Sequence, residues 1–210
     1  MTAVLYDISP LVSPRLGVWP GDTPPSRELL LELARGDTVT LSTLRATVHL
    51  GAHADAPSHF APGGATIDRQ PLDAYLGPAQ VIHAAGRRGR RLTPSDLGFP
   101  LRAERVLIAT GTYPDPEDFT TDFAGLSLEL VATLADAGAR LVGIDTPSVD
   151  PFDSRDLPAH HACLRAGIAL LEGLVLGAVP DGIYELIALP LALEGFDASP
   201  VRAVLRARPG

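Results

Sequence analysis

Short apolar runs alternate with glycine- and proline-rich breaks along the chain, a pattern that predicts many brief strands and few helices. Val4 to Ile8 reads as a strand ended by Ser9-Pro10. Residues 17–25, Gly-Val-Trp-Pro-Gly-Asp-Thr-Pro-Pro, read as a loop, because three prolines and two glycines suit neither a helix nor a central strand. Weak alternation from Ser26 to Arg35 and a Thr/Val/Leu-rich stretch from Thr38 to His49 predict two further strands. Residues 50–65 read as irregular, broken by Gly51, Pro57, Pro62, Gly63 and Gly64. Strands are expected at Ala79–Ala84, Arg105–Ala109, Arg140–Ile144 (which delivers Asp145 at its end), Ile168–Leu176, Ile183–Leu189 and Val201–Arg206. Thr93-Pro94-Ser95-Asp96 reads as a helix start with proline at the first helical position. The clearest helix runs from Leu126 to Ala137, capped by Ser127 and ended by Gly138, with Leu128, Val131, Ala132, Leu134 and Ala135 on one face. A short helix covers 160–166 and stops at Gly167. Neither a repeat nor a linker interrupts the series. The expected architecture is one domain over residues 1–210, mixed α and β (α/β) and strand-rich.

Composition narrows the chemistry. The 210 residues carry 17 basic and 25 acidic side chains, a net charge of −8, so no basic footprint for nucleic acid exists. Every basic residue is arginine; a Schiff-base lysine and a phosphate-loop lysine are both excluded. Arg87, Arg88, Arg90 and Arg91 cluster around Gly89 and read as a solvated turn. With Cys163 alone, neither an intramolecular disulfide nor a cysteine-rich zinc site can form, and any metal must be held by His, Asp and Glu. The opening Met-Thr-Ala-Val-Leu-Tyr-Asp lacks the basic and apolar regions of a signal peptide. No charge-free apolar run reaches the ~18 residues of a membrane span. The cytoplasm is the expected compartment, with no membrane partner.

Three of the six histidines fall within eleven residues: His49-Leu-Gly-Ala-His53-Ala-Asp55-Ala-Pro-Ser-His59. Imidazole and carboxylate suit zinc, manganese or iron. Gly51 and Pro57 argue against a helix here. In an extended segment residues i and i+2 share a face, so His53 and Asp55 can converge, and His49 can join them after a turn at Gly51. Far downstream, His160-His161 precede Glu172, a carboxylate inside the apolar run Ile168–Leu176. A buried carboxylate must be protonated, paired or metal-bound, and a cation shared with the first cluster explains its placement. Of His160 and His161 only one is expected to face Glu172, and periodicity leaves the choice open. Together these residues suffice for two metal ions bridged by a carboxylate. His59 is then left as a free imidazole beside the site, the usual general acid/base.

The segment from His49 to His59 resembles the signature of the metal-dependent cyclase family. Further stretches are similar to its kynurenine formamidase (arylformamidase) branch: Asp7-Ile-Ser-Pro with Val18-Trp19-Pro-Gly-Asp-Thr-Pro, Gly143-Ile-Asp-Thr-Pro-Ser-Val-Asp150, His160-His161 with Leu171-Glu172-Gly173, Leu186-Ile-Ala-Leu-Pro, and Ser199-Pro-Val-Arg202. One departure is Ala52, where many family members carry threonine. The resemblance implies a swivelling β/β/α fold, a homodimer and two zinc ions per subunit, with manganese the alternative. It implies that His49, His53 and Asp55 bind one metal and that Asp55, His160 and Glu172 serve the other, His160 being favoured over His161 by its spacing to Glu172. His59 would be the proton donor and acceptor, and Trp19 a substrate contact. The small-molecule substrate so implied is N-formyl-L-kynurenine, hydrolysed to L-kynurenine and formate. Two other readings compete: hydrolysis of another small cyclic or aryl amide, as by isatin hydrolases, and metal or ligand binding without turnover. A saturated coordination shell would favour binding alone.

Overall fold

The wholly buried run Arg105–Ala109 is the fifth of nine strands in a single mixed sheet in the computed structural model of the chain. The structure describes residues 4–84, 87–98 and 100–207; the first three residues of the N-terminal segment read above lie outside them. Arg105–Ala109 pairs in parallel with Leu76–His83 on one side and with Leu141–Ile144 on the other, and Ala169–Glu172 adds a fourth parallel strand. Antiparallel strands extend both flanks. Gly182–Ile187, Val204–Ala207 and Leu5–Asp7 follow outward from Leu76–His83; His53–Asp55 and Ala198–Pro200 follow outward from Ala169–Glu172. The sheet curls: Ile8, just past one edge strand, accepts a hydrogen bond from Val175, which lies toward the opposite side, at 2.9 Å.

Strand periodicity sorts the core into two layers. Val106, Ile108, Val142 and Leu170 face the helices Leu128–Asp136 and Pro158–Ala166, meeting Leu130, Leu134, Ala159 and Cys163. Leu107, Leu171, Leu186 and Leu205 point into the curl with Tyr75 and Ile8. Both faces of the parallel strands are therefore buried, which explains their nearly continuous apolar sequences. Ser127 caps the first helix, its hydroxyl accepting from Leu130 N–H at 3.1 Å, as the sequence predicts. The buried stripe is Leu130, Val131 and Leu134; Leu128 and Ala132, expected on that face, are exposed, because the helix turns the side of Leu130 and Leu134 to the sheet.

Other boundaries shift. Thr38–His49 is not one strand: only Leu41–Arg45 is extended, and it pairs with Ser26–Leu31 in a hairpin separate from the main sheet. His49 consequently lies on irregular chain four residues past that strand. Within residues 50–65, His53–Asp55 forms a short strand, the extended segment on which His53 and Asp55 share a face. Ile168–Leu176 stops at Glu172, where Gly173 turns the chain at φ +65°. The turn after Thr93 is one 3₁₀ turn, Pro94–Asp96, closed by a capping box. Of the arginine cluster, Arg91 is only partly exposed: Asp150 draws it inward, Nη1 to Oδ1 at 2.6 Å. No helix among the described residues is long and apolar enough to cross a membrane.

Candidate active site

Four elements deliver the candidate site residues to one point at the edge of the sheet. His53 and Asp55 project from the same face of their short strand, with Ala54 turned to the core. The neighbouring strand runs antiparallel, and its register sets Glu172 opposite His53 and Leu170 opposite Asp55. His160 enters from the first turn of the helix Pro158–Ala166, and His49 from the loop before Gly51. Residues separated by more than a hundred positions thus meet through strand pairing and one helix.

The ring nitrogens carry the decisive geometry. His53 Nδ1 lies 2.8 Å from the Gly51 carbonyl oxygen, His160 Nδ1 lies 2.8 Å from Asp150 Oδ2, and His49 Nε2 lies 3.0 Å from Asp197 Oδ2. These oxygens can only accept, so each histidine spends its N–H outward and turns its other nitrogen inward. Inside, His49 Nδ1 is 3.1 Å and His53 Nε2 3.5 Å from Asp55 Oδ1. His160 Nε2 is 3.4 Å from both Asp55 Oδ2 and Glu172 Oε1, and His53 Nε2 is 3.5 Å from Glu172 Oε2. Three nitrogen lone pairs therefore face two carboxylates. Asp55 is buried, and neither of its oxygens has a hydrogen-bond partner. An acceptor-only cluster of this kind fits a cation, and the donor set is that of zinc or manganese. The candidate ligand atoms form three triads, each within 4.8 Å: His49/His53/Asp55 and Asp55/His160/Glu172, which share Asp55, and His49/His59/Asp197 at the more exposed rim.

Electrostatics say the same. Burial disfavours charge on His49, yet Asp55 and Asp197 outweigh it and lift its pKa to about 9. Burial likewise opposes charge on His160, and Asp150, Asp55 and Glu172 raise it well above the usual value. Burial and the neighbouring Asp55 push Glu172 up, but His160 and His53 hold it below the ordinary carboxylate range. Without a metal, protons on imidazole must balance the two buried carboxylates; a cation can take their place.

His161, next in sequence to His160, stays outside the cluster, its ring 5.6 Å from that of Phe60. His59 lies at the rim, its ring 4.1 Å from that of His49 and its Nδ1 3.3 Å from Asp197 Oδ2. Trp19 is half-buried against Phe152, Phe119 and Phe123, with ring centroids 4.8, 5.8 and 6.1 Å away. Trp19, His59, His49, His53, His160 and Glu172 line one cavity of about 450 Å³, the size of a small-ligand site, with Asp55 behind them.

Two residues escape the sequence reading. Asp150 accepts from the Arg91 guanidinium, the His160 ring and the backbone N–H groups of Ala159 and His160. It caps a helix whose preceding residue, Leu157, has no capping side chain and a left-handed φ of 41°. Burial raises its pKa, but His160 and Arg91 pull it down to about 2. Asp197 is the other, between His49 and His59.

Comparison with known proteins gives this arrangement its class. The chain belongs to the family described as "Putative cyclase", whose model matches residues 6–151. Two solved structures span the chain. One, a "Potential Metal-Dependent Hydrolase With Cyclase Activity", is 29% identical with TM-score 0.86, and the match covers 100% of both chains. A "predicted metal-dependent hydrolase from Bacillus stearothermophilus" is 30% identical with TM-score 0.83, covering 99% of this chain and 100% of the other. Isatin hydrolase A from Labrenzia aggregata, bound to benzyl benzoate, shares the fold at 24% identity and TM-score 0.80, covering 99% and 94%. The chain has the fold of cyclase-family metal-dependent hydrolases. The family match ends before His160, Glu172 and Asp197, whose convergence is a finding of the geometry alone.

Proposed function

We propose that the chain is a metal-dependent hydrolase of aryl amides that cleaves N-formyl-L-kynurenine to L-kynurenine and formate. The observation that supports this reading most is one cavity in which aromatic rings, Trp19 and Phe119, stand beside an acceptor-only cluster of His49, His53, Asp55, His160 and Glu172. In this reading the two inner triads hold two metal ions, zinc or manganese. Bound there, metal supplies an acidified water and a Lewis acid for the amide oxygen. Trp19 stacks on the aryl ring, which orients the formyl group toward the cluster. Water adds to the formyl carbon, and the C–N bond then breaks to release formate and the arylamine. His59 takes the proton of the attacking water and returns it to the anilide nitrogen, which otherwise leaves poorly.

A second substrate, a neutral cyclic amide such as isatin, is favoured by one feature: the cavity is lined by aromatic, acidic and imidazole groups, without an arginine among the described residues. Asp22 suits the ammonium of an amino-acid substrate, whereas the substrate's carboxylate meets no arginine among the described lining residues. Turnover of N-formyl-L-kynurenine and of isatin, measured on one preparation with elemental metal analysis, separates the two. Efficient kcat/KM on isatin alone would overturn the formamidase reading, and no turnover of either would overturn both.

The separate hairpin supports a homodimer. Every residue of Ser26–Leu31 and Leu41–Arg45 is exposed, with Leu30, Leu33, Leu41 and Leu44 prominent. An isolated two-stranded ribbon of this kind is marginal in water. Light scattering of wild type beside Leu44→Asp tests it: a monomeric wild type would overturn the dimer.

A further inference from the structure

Asp197 sits where two structural constraints cross. Its carbonyl accepts from Ala56 N–H at 2.9 Å, and the next residue, Ala198, pairs with Asp55 in the strand register. The backbone of the Asp55 strand therefore fixes where the Asp197 side chain stands. One oxygen, Oδ2, lies 3.0 Å from His49 Nε2 and 3.3 Å from His59 Nδ1. The two rings it touches have different places: His49 turns its remaining nitrogen to Asp55 at 3.1 Å, while His59 Nε2 has no protein partner among the described residues and His59 lines the cavity.

We propose that Asp197 is a positioning residue shared by the metal cluster and the proton-transfer imidazole. Its single oxygen takes the N–H of both rings. On His49 this presents the Nδ1 lone pair to the cluster; an outer carboxylate of this kind fixes ring orientation and ligand basicity. On His59 it selects the tautomer protonated at Nδ1, leaving the Nε2 lone pair free on the cavity side to receive a proton. Swinging of the rim histidine is restricted in the same act. The inference rests on the hydrolase reading for its catalytic half, and on geometry alone for its tautomer half.

The experiment compares the metal-loaded wild type with Asp197→Ala and Asp197→Asn by three readouts. Zinc competition titration should show affinity reduced roughly 10–100-fold in Asp197→Ala. Imidazole ¹⁵N NMR should show His59 protonated at Nδ1 in the wild type and reverting toward Nε2 in Asp197→Ala, with a smaller reversion in Asp197→Asn, which keeps one acceptor oxygen. In kinetics, kcat should fall about tenfold or more with little change in KM, and Asp197→Ala should add little further loss of kcat in a His59→Ala background at saturating metal. Should Asp197→Ala fail to fold, Asp197→Leu, which keeps similar size without an acceptor oxygen, carries the same measurements. An unchanged His59 tautomer together with unchanged zinc affinity overturns the proposal. So does a full, independent kcat loss in the His59→Ala background. If the wild type turns over no amide, the hydrolase reading fails, while the NMR and zinc readouts still decide for or against the positioning role.

Discussion

Glu172 and His53 are direct partners in the antiparallel register of two neighbouring strands, and Glu172 Oε2 lies 3.5 Å from His53 Nε2. The same register sets Leu170 against Asp55, so both carboxylates face the helix that carries His160. Asp55 stands at the overlap of the two triads, and its two oxygens have no other partner. Asp55→Asn should therefore cost more metal affinity than the roughly 10–100-fold of an outer partner. Activity should vanish with the metal. The metal-free variant should also melt lower than metal-free wild type, because the protonated rings of His49 and His160 lose a buried counter-charge. Elemental analysis after dialysis checks this, and full occupancy in the variant would refute the ligand set.

Gly173 bears on the same point through the backbone. It has φ +65°, and a Cβ there would stand 2.2 Å from the Gly51 carbonyl oxygen, the group that holds His53 Nδ1. Gly173→Ala should cost about 1–3 kcal/mol of stability and also weaken metal binding. Gly177→Ala is the control, since nothing lies within 4 Å of its added Cβ and its φ is ordinary. Equal effects of the two substitutions on metal affinity would disprove the link.

The legibility of this fold differs by element. Arg105–Ala109 and Leu141–Ile144 are visible as apolar runs because both of their faces are buried. The helix Leu128–Asp136 announces itself by Ser127 and Gly138. His53 and Asp55 are readable as a pair because two residues along a strand return to one face. Asp197 is not readable: it stands in Glu194-Gly195-Phe196-Asp197-Ala198, which looks like any polar turn, and only pairing of Ala198 with Asp55 brings it to His49. Asp150 is hidden for a related reason. Its work is to cap a helix eight residues later, and no local period encodes that. The choice of His160 over His161 is one of helix phase, which is set only when the helix docks through its own Ala159 and Cys163.

Acid and metal should act in opposite directions on stability. In the metal-free protein the pKa of His49 is raised from 6.5 to about 9, and His160 is raised too. A group whose folded pKa lies above its unfolded value stabilises fully below the unfolded value and loses that contribution as pH rises through the folded one. The melting temperature of the metal-free protein should fall between pH 6.5 and 9. Metal binding needs the deprotonated rings and should strengthen over the same window. Scanning calorimetry with and without chelator should show the gap between the two forms widening. A metal-free melting temperature that is flat or rising across this range contradicts the pairing.

Trp19 is supported by Phe119, Phe123 and Phe152 on its buried side and lines the cavity with the remainder. Aromatic pairing contributes about 0.5–1.5 kcal/mol beyond area burial. Trp19→Ala should therefore raise KM for an aryl amide about tenfold while lowering the melting temperature only slightly. The converse result, a large loss of melting temperature with unchanged KM, would assign the ring to packing.

His59 decides how the proton travels. It follows the ligand segment directly, held by the 3₁₀ turn Pro57–His59, and stands at the rim with only Asp197 on its Nδ1. His49, His53, His160, Asp55 and Glu172 form the two inner triads without it, and His59 enters only the rim triad with His49 and Asp197. Removing His59 should leave metal content and melting temperature close to wild type. An anilide nitrogen must be protonated before it can leave, and a positioned acid–base group contributes typically 10²–10⁴-fold. His59→Ala and His59→Asn should lose about that much kcat, with KM little changed. Loss of metal in either variant would make His59 a ligand. Full metal content with near-wild-type kcat would remove it from proton transfer, and the proton would then have to reach the nitrogen from Glu172 or from solvent.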